Sequence, residues 1–468
     1  MLDEDSATPV GSVTQAKPWP PASIISLPAE ILLMIFKIVH TVSDGCNFPP
    51  RGALNRFPNS CARVCKYWMQ VMSSFPPFWS FIVFIIDDEE PCFSSLADQI
   101  QWTGNLRFGL RIDRRSQVIN HDLEAPRIDE AIRALLPHIS RCRSICISAP
   151  YTSGLMPLIR GLPGSKVDLI YLVLDCNFND VGGSPAGMSA TPCAPLLCPS
   201  LSTLRLSGHG LLSLCRNIEN PCCDLRQLVE LKLGSGDGIR YPFPADIFLN
   251  ALRQISQLET LEISNLELSC EDEDAVSEIM LNLQHLRSLT LSDLDLTTFR
   301  YIVISVYPRY VEDLSFTRCS WGAIVVDFLN SRHVYLEDIT DCHDLENYLE
   351  SWQGISMTLK NCPDIVEELC KLIRQKEPDG IHFRCHSLRY LKIVDCPTLP
   401  VDSLRESIAA RNSDDPPWDP AVNGPASPFI NSVVVLGDVP SLSPEDFAWF
   451  ESKTMHFRWG GEDIKRRQ

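Results

Sequence analysis

Residues 258–263 read LETLEI and residues 286–291 read LRSLTL, two copies of the pattern L-x-x-L-x-L set 28 residues apart. The last two apolar positions of each copy stand two residues apart, the side-chain period of a strand. They therefore share one face while their neighbours take the other. Working outward, the same ruler fits Leu169, Leu172 and Leu174, then Leu201, Leu204 and Leu206, then Leu228, Leu231 and Leu233. Val311, Leu314 and Phe316 continue it, Leu388, Leu391 and Ile393 repeat it late, and Cys142, Ile145 and Ile147 form an earlier unit. With the central residue as marker, positions 145, 172, 204, 231, 261, 289 and 314 are separated by 27, 32, 27, 30, 28 and 25 residues.

A period of roughly 20–30 residues carrying this pattern is that of leucine-rich repeats. Between the strands lie helix-capable stretches such as FPADIFLNALRQISQ and DEDAVSEIMLNLQH, with apolar residues at helical spacing and acidic residues near their starts. SSLADQIQWTG before NLRFGLRID, and RIDEAIRALLPHISR before CRSICIS, show the same alternation upstream. The fold class expected is α/β: a solenoid over residues 80–410, with parallel strands on its concave face and helices on its convex face. Residues 411–428, RNSDDPPWDPAVNGPASP, read as a mobile loop. Residues 429–468, with FINSVVVLG, SPEDFAWFES and TMHFRWGG, read as a closing cap.

The 77 residues from 314 to 391 leave room for two degraded units, with candidates at Val334 to Ile339 and Met357 to Leu359. Such repeats place Asn or Cys eight positions after the first leucine, where it satisfies turn backbone. Asn177, Cys319 and Cys396 fall there, as does Cys362 for a unit starting at Gly354. A unit starting at Val334 would put Cys342 there but turn Glu337 inward, which disfavours that register. In the regular units the residues between the leucines face the concave side, where solenoids hold partners. Tyr171, Arg205, Glu230, Lys232, Glu262, Asp313, Tyr390 and Lys392 are the candidate target-binding residues, with Tyr and Arg the usual hot-spot types.

Ahead of the repeats stands ISLPAEILLMIFKIVH, residues 25–40. Ser26 can cap a helix, Pro28 sits in its first turn and Glu30 favours its N-terminus. Ile31 to Phe36 follow without a polar break, so one face can pack inside a module and another is left for a partner. A second helix is predicted from about Ser60, with Cys61, Cys65, Trp68 and Met72 on one stripe, ended by Pro76 and Pro77. Residues 23–79 form this module, and residues 1–22 read as a disordered tail.

At Leu27, Pro28, Glu30, Ile31, Leu32, Ile35, Phe36, Val64, Cys65 and Trp68 the chain resembles the F-box family. PPFW at 76–79, leading into an apolar strand, is similar to the large F-box-like families of fungi. Between the two helices, Thr41 to Asn59 is longer than a compact F-box linker. The resemblance implies that those ten residues dock a Skp-family adaptor and, through it, a cullin-RING ubiquitin ligase, while the repeats hold a target protein. The other reading is a leucine-rich-repeat scaffold or inhibitor that binds partners without ligase assembly.

Composition narrows the rest. Hydrophobic residues make up 45% and charged residues 21%, a balance that supports a folded interior. No run approaches the ~20 apolar residues of a membrane helix, and the acidic start MLDEDSATP is unlike a secretory or transit signal. The cytosol or nucleus is expected, with the 19 cysteines reduced. Net charge is −18, and residues 201–400 carry 18 Lys/Arg against 30 Asp/Glu, a balance of −12 that disfavours nucleic acid and permits a basic partner.

No catalytic residue, cofactor or metal is assigned. VGGSPAG and GSGDG lack the Lys-Ser/Thr or strand-to-helix setting of a phosphate cradle. His382, Cys385 and His386, near Cys370 and Cys396, lack the paired spacings of a zinc site. EDED at 271–274 reads as a solvated helix start.

Overall fold

The computed structural model describes residues 27–43, 57–86, 96–114, 121–151, 155, 158, 168–178, 198–206, 225–234, 242–269, 281, 283–306, 310–320, 330–339, 348–349, 352–376, 383–412 and 429–460. Several features singled out in the sequence lie outside these: the tail 1–22, residues 44–56 between the first helices, VGGSPAG, EDED, Cys342, His382 and residues 413–428. The chain divides into two compact units, Met1–Ser80 with Cys92–Gly104, and Phe81–Pro91 with Asn105–Gln468.

The first unit contains helices α1 (Ala29–Ser43), α2 (Asn59–Ala62), α3 (Lys66–Ser73) and α4 (Leu96–Trp102), with a 3₁₀ turn at Pro76–Trp79. Leu32 and Phe36 of α1 meet Val71, Met72, Phe78 and Trp79 in its core. Burial of the Trp79 indole is compatible with its N–H because Nε1 donates to the Met72 carbonyl at 3.1 Å. Trp102 of α4 packs on the same ring, with centroids 4.6 Å apart.

The single helix expected from Ser60 is two. Arg63 closes α2, and Cys65 takes an extended backbone, φ −163° and ψ 165°, before α3 begins. Cys61 and Cys65 therefore do not share one helical stripe.

The second unit is built on a 14-stranded sheet, every neighbouring pair parallel. Its strands are β1 (Phe81–Ile85), β2 (Phe108–Asp113), β3 (Cys142–Tyr151), β4 (Tyr171–Phe178), β5 (Thr203–Leu206), β6 (Glu230–Gly234), β8 (Thr260–Ser264) and β10 (Ser288–Ser292), continuing with β11 (Val311–Thr317), β12 (Ser331–Glu337), β13 (Ser356–Lys360), β14 (Tyr390–Val394), β15 (Ser432–Leu436) and β16 (His456–Trp459). β7 (Pro242–Pro244) and β9 (Glu267–Ser269) pair separately. Strand order follows chain order, so each repeat adds one strand beside the last, the one-dimensional growth of a solenoid-like α/β fold.

Register follows the leucine ruler. Leu172, Leu204, Leu231, Leu261, Leu289 and Leu314 lie side by side as one buried row, extended by Val334, Met357, Leu391 and Val433. β12 and β13 occupy the 77-residue gap. In β12, Val334 holds the fourth place of its repeat rather than the first, and Glu337 lies clear of the buried row. The first place belongs to Ser331, fully buried, whose carbonyl accepts from Trp352 Nε1 at 3.0 Å and whose hydroxyl lies 3.3 Å from the Tyr348 hydroxyl.

Seven successive strands end in a left-handed residue: Asn265, Asp293, Arg318, Asp338, Asn361, Asp395 and Gly437, with φ between 49° and 76°. Asn, Asp and Gly tolerate this region best. Arg318 is the exception, and its guanidinium is held by both oxygens of Asp293 at 2.6 and 2.7 Å. All but the last of these turns then drop a residue into the interior, the residue after Gly437 being exposed Asp438. Cys319, Cys362 and Cys396 fill that place, with thiols on the carbonyls of Leu291 at 3.4 Å, Lys360 at 3.1 Å and Val394 at 3.5 Å. Burial pushes the Cys319 thiol up to about 11 and the Cys362 thiol up to about 12. Asn177 lies where only the backbone is described.

Helices between the strands include α5 (His121–Leu135), α6 (Ala245–Arg253), α7 (Leu296–Ser305), α8 (Pro363–Arg374), α9 (Val401–Arg411) and α10 (Pro444–Lys453). α8 buries Ile365, Val366, Leu369, Cys370, Leu372 and Ile373, the one-sided pattern of a helix laid on a core. Ser407 of α9 donates to the Cys370 carbonyl at 2.7 Å, and Arg405 pairs with Asp446 of α10 at 2.7 Å, so the last three helices are tied in sequence.

Candidate functional site

Two surfaces carry the residues singled out in the sequence. The first is α1. Its inward side supplies Leu32 and Phe36, both fully buried, with the Trp68 ring edge-on to Phe36 at 5.0 Å. Those two expected docking residues are core residues, unable to offer their side chains to another protein. Leu27 and Trp68 are partly buried against the same core, and the Leu27 carbonyl accepts from the Tyr67 hydroxyl at 3.1 Å. Cys65 is half-buried at the start of α3.

The outward side of α1 is what remains. Pro28, Glu30, Ile31, Ile35 and Val64 are exposed. Ile31 is 39% exposed, Met34 57%, Ile35 37% and Ile38 65%, and their spacing i, i+3, i+4, i+7 defines one helical face. Val39 borders it. Met34, Ile38 and Val39 were not among the ten residues named from the motif. The signal for them was the unbroken apolar run, which a motif match reads only at its consensus positions. Single exposed apolar side chains are ordinary, but four on one face are a patch.

The second surface is the open face of the sheet. Tyr171, Arg205, Glu230, Lys232 and Glu262 fall on the neighbouring strands β4, β5, β6 and β8, with Arg205, Lys232 and Glu262 in one register row. Their charges are mutually satisfied. Arg205 Nε reaches Asp175 at 3.1 Å, Lys232 Nζ reaches Glu262 at 3.0 Å and Glu230 at 3.3 Å, and Thr203 donates to Glu230 at 3.2 Å. Burial, then the neighbouring Cys146 and Glu230, push the Tyr171 phenol up from its ordinary value.

The remaining three candidates are elsewhere on that face. Asp313 of β11 sits opposite His333 of β12, and Tyr390 and Lys392 belong to β14, five strands beyond β8. Between them is a group the sequence reading passed over: Tyr335 donates to Glu337 at 2.8 Å and Lys360 donates to it at 2.6 Å. The Lys360 bond holds the Glu337 carboxyl below its ordinary range. Burial, then Glu337, push Tyr335 up to about 12. No leucine marks the first place of β12, where Ser331 stands, so the sequence assigns that strand no register and this group is not legible in it.

Among the described residues no set of three His, Cys, Asp or Glu side chains could hold a metal ion. The turn containing Cys385 and His386 is organised instead by Arg411, buried in α9, which donates to the carbonyls of Cys385 at 3.1 Å and His386 at 3.0 Å. Cys385 is itself buried, its thiol on the Leu349 carbonyl at 3.1 Å. The eleven described cysteines are free thiols, and no described helix is long and apolar enough to cross a membrane. No family model matches the chain, and no curated protein is similar to it at a significant level.

Proposed function

We propose that this chain is a substrate receptor of a Skp-cullin-F-box type ubiquitin ligase, with the outer face of α1 docking the adaptor and the open face of the sheet recruiting a target protein. The observation that carries the reading is the stripe Ile31, Met34, Ile35 and Ile38, apolar surface that the first unit leaves uncovered. An amphipathic helix uses one apolar face for its own core. α1 has a second, of the kind that a partner helix or groove covers. The receptor contributes no catalytic group. It acts by proximity, raising the local concentration of the target beside the ligase, in the cytosol or nucleus.

The test is co-purification of a Skp-family adaptor with the full chain and with Met34→Glu/Ile38→Glu. Both positions point away from the core, so the variant melts with the wild type while adaptor capture is lost. Full capture by the variant excludes this face. Absence of capture by the wild type leaves the alternative reading, a repeat scaffold that binds its partners without a ligase.

A further inference from the structure

The solenoid ends on its own core. In each strand of the large sheet from β4 to β15 the two inward places are buried, the last pair being Val433 and Val435. Phe457 and Trp459 hold the same two places on β16, opposite Val433 and Val435, and are only half-buried. They belong to an aromatic layer in which Phe450 stacks on Phe457 with centroids 5.2 Å apart and Phe447 meets Phe457 edge-on at 5.1 Å. Met455, just before the strand, is 83% exposed. A terminal repeat ordinarily turns a polar side to solvent, and here that side is apolar.

The backbone is open at the same place. β16 is an edge of the 14-stranded sheet, and no described strand pairs beyond it. His456 and Gly460 donate their N–H groups to the carbonyls of Asn431 and Val435 at 3.0 and 2.9 Å, so the alternation of the strand turns the N–H and C=O of Phe457 and Trp459 outward. Such an edge is a template for another strand. Residues 461–468, GEDIKRRQ, offer Ile464 as their one apolar side chain against a row of three.

This edge is complementary to itself. Antiparallel pairing centred on Phe457 sets Phe457 against its own counterpart, Met455 against Trp459 and His456 against Arg458. The two Phe457 residues can then exchange both backbone bonds, and every uncovered apolar side chain meets another. Centring the pair on Arg458 would instead place two arginines directly opposite, which destabilises a cross-strand pair. We infer that β16 pairs antiparallel with β16 of a second copy of this chain, joining two solenoids end to end in a two-fold symmetric dimer whose contact is the same patch on both sides. The inference goes beyond the proposed function and needs neither adaptor nor target.

The experiment is sedimentation velocity of the full chain, alone, over a broad range of concentration. A reversible monomer–dimer equilibrium is expected. Added salt should hold or tighten it, because screening relieves the repulsion between two chains of net charge −18. Met455→Lys, at an exposed position, should leave the fold intact and raise the dissociation constant roughly tenfold or more, since a charged edge resists pairing and the symmetry counts the change twice. Met34→Glu/Ile38→Glu should leave the dimer unchanged, which separates this edge from the apolar face of α1. A second readout needs no variant: exchange of the Phe457 and Trp459 amides in the wild type should slow as concentration rises. A chain that stays monomeric, assembly that grows past the dimer, or a dimer kept by Met455→Lys and lost with the α1 variant overturns the inference.

Discussion

Helices α1 and α8 are similar in length and opposite in what they leave outside. α8 puts Ile365, Val366, Leu369 and Cys370 inward and keeps Asp364, Glu367, Glu368 and Lys371 off its core, the last linked to Glu367 at 3.2 Å and Glu368 at 2.8 Å. α1 puts Leu32 and Phe36 inward and still presents Ile31, Met34, Ile35 and Ile38 to solvent. A helix of the repeat is complete once stacked on its neighbours. The helix of the first unit is not completed by its own core, and that surplus is the physical content of the docking proposal.

The inward faces should behave alike, with the largest effects. Phe36→Ala should cost roughly 3–5 kcal/mol and Leu369→Ala roughly 2–5 kcal/mol, read as a loss of unfolding free energy in denaturant. A small loss at Phe36 would mean that α1 is not anchored as described, and the comparison would fail at its root.

Alkaline titration should separate the two units next. Burial pushes Cys370 of α8, Cys362 and Cys142 up to about 12 from an ordinary 9.0. A thiol whose folded pKa is raised contributes stability that is fully present below the unfolded pKa and lost as pH rises through the folded one. The repeat unit should therefore keep its stability up to about pH 9 and lose it progressively toward pH 12, followed by denaturant melts across that range. Stability that stays flat to pH 12 would contradict the placement of these thiols.

The outer faces should show the smallest effect on stability. Met34→Ser and Lys371→Ala should each change unfolding free energy by less than ~0.5 kcal/mol, because an exposed side chain or ion pair contributes little. The two helices would then be alike in stability and differ only in what α1 binds.

Much of the repeat architecture was legible because its signal is redundant. Leu204, Leu231, Leu261 and Leu289 each mark the same register place, and neighbouring strands repeat the information. Where a polar residue takes an apolar place, legibility ends. Ser331 holds a core place because Trp352 and Tyr348, some 20 residues downstream, satisfy its polar atoms, a contact no local pattern contains. The exposed side of α1 was legible only as an excess of apolar residues. Which of Ile31 to Val39 faced outward depended on Phe78 and Trp79 filling the other side.

The most direct test is hydrogen–deuterium exchange of the full chain with and without a Skp-family adaptor. Slowed exchange across Ala29–Ser43, with the strands β4 to β16 unaffected, is the predicted result. Complex formation that leaves α1 exchanging as before would contradict the assignment of its outer face.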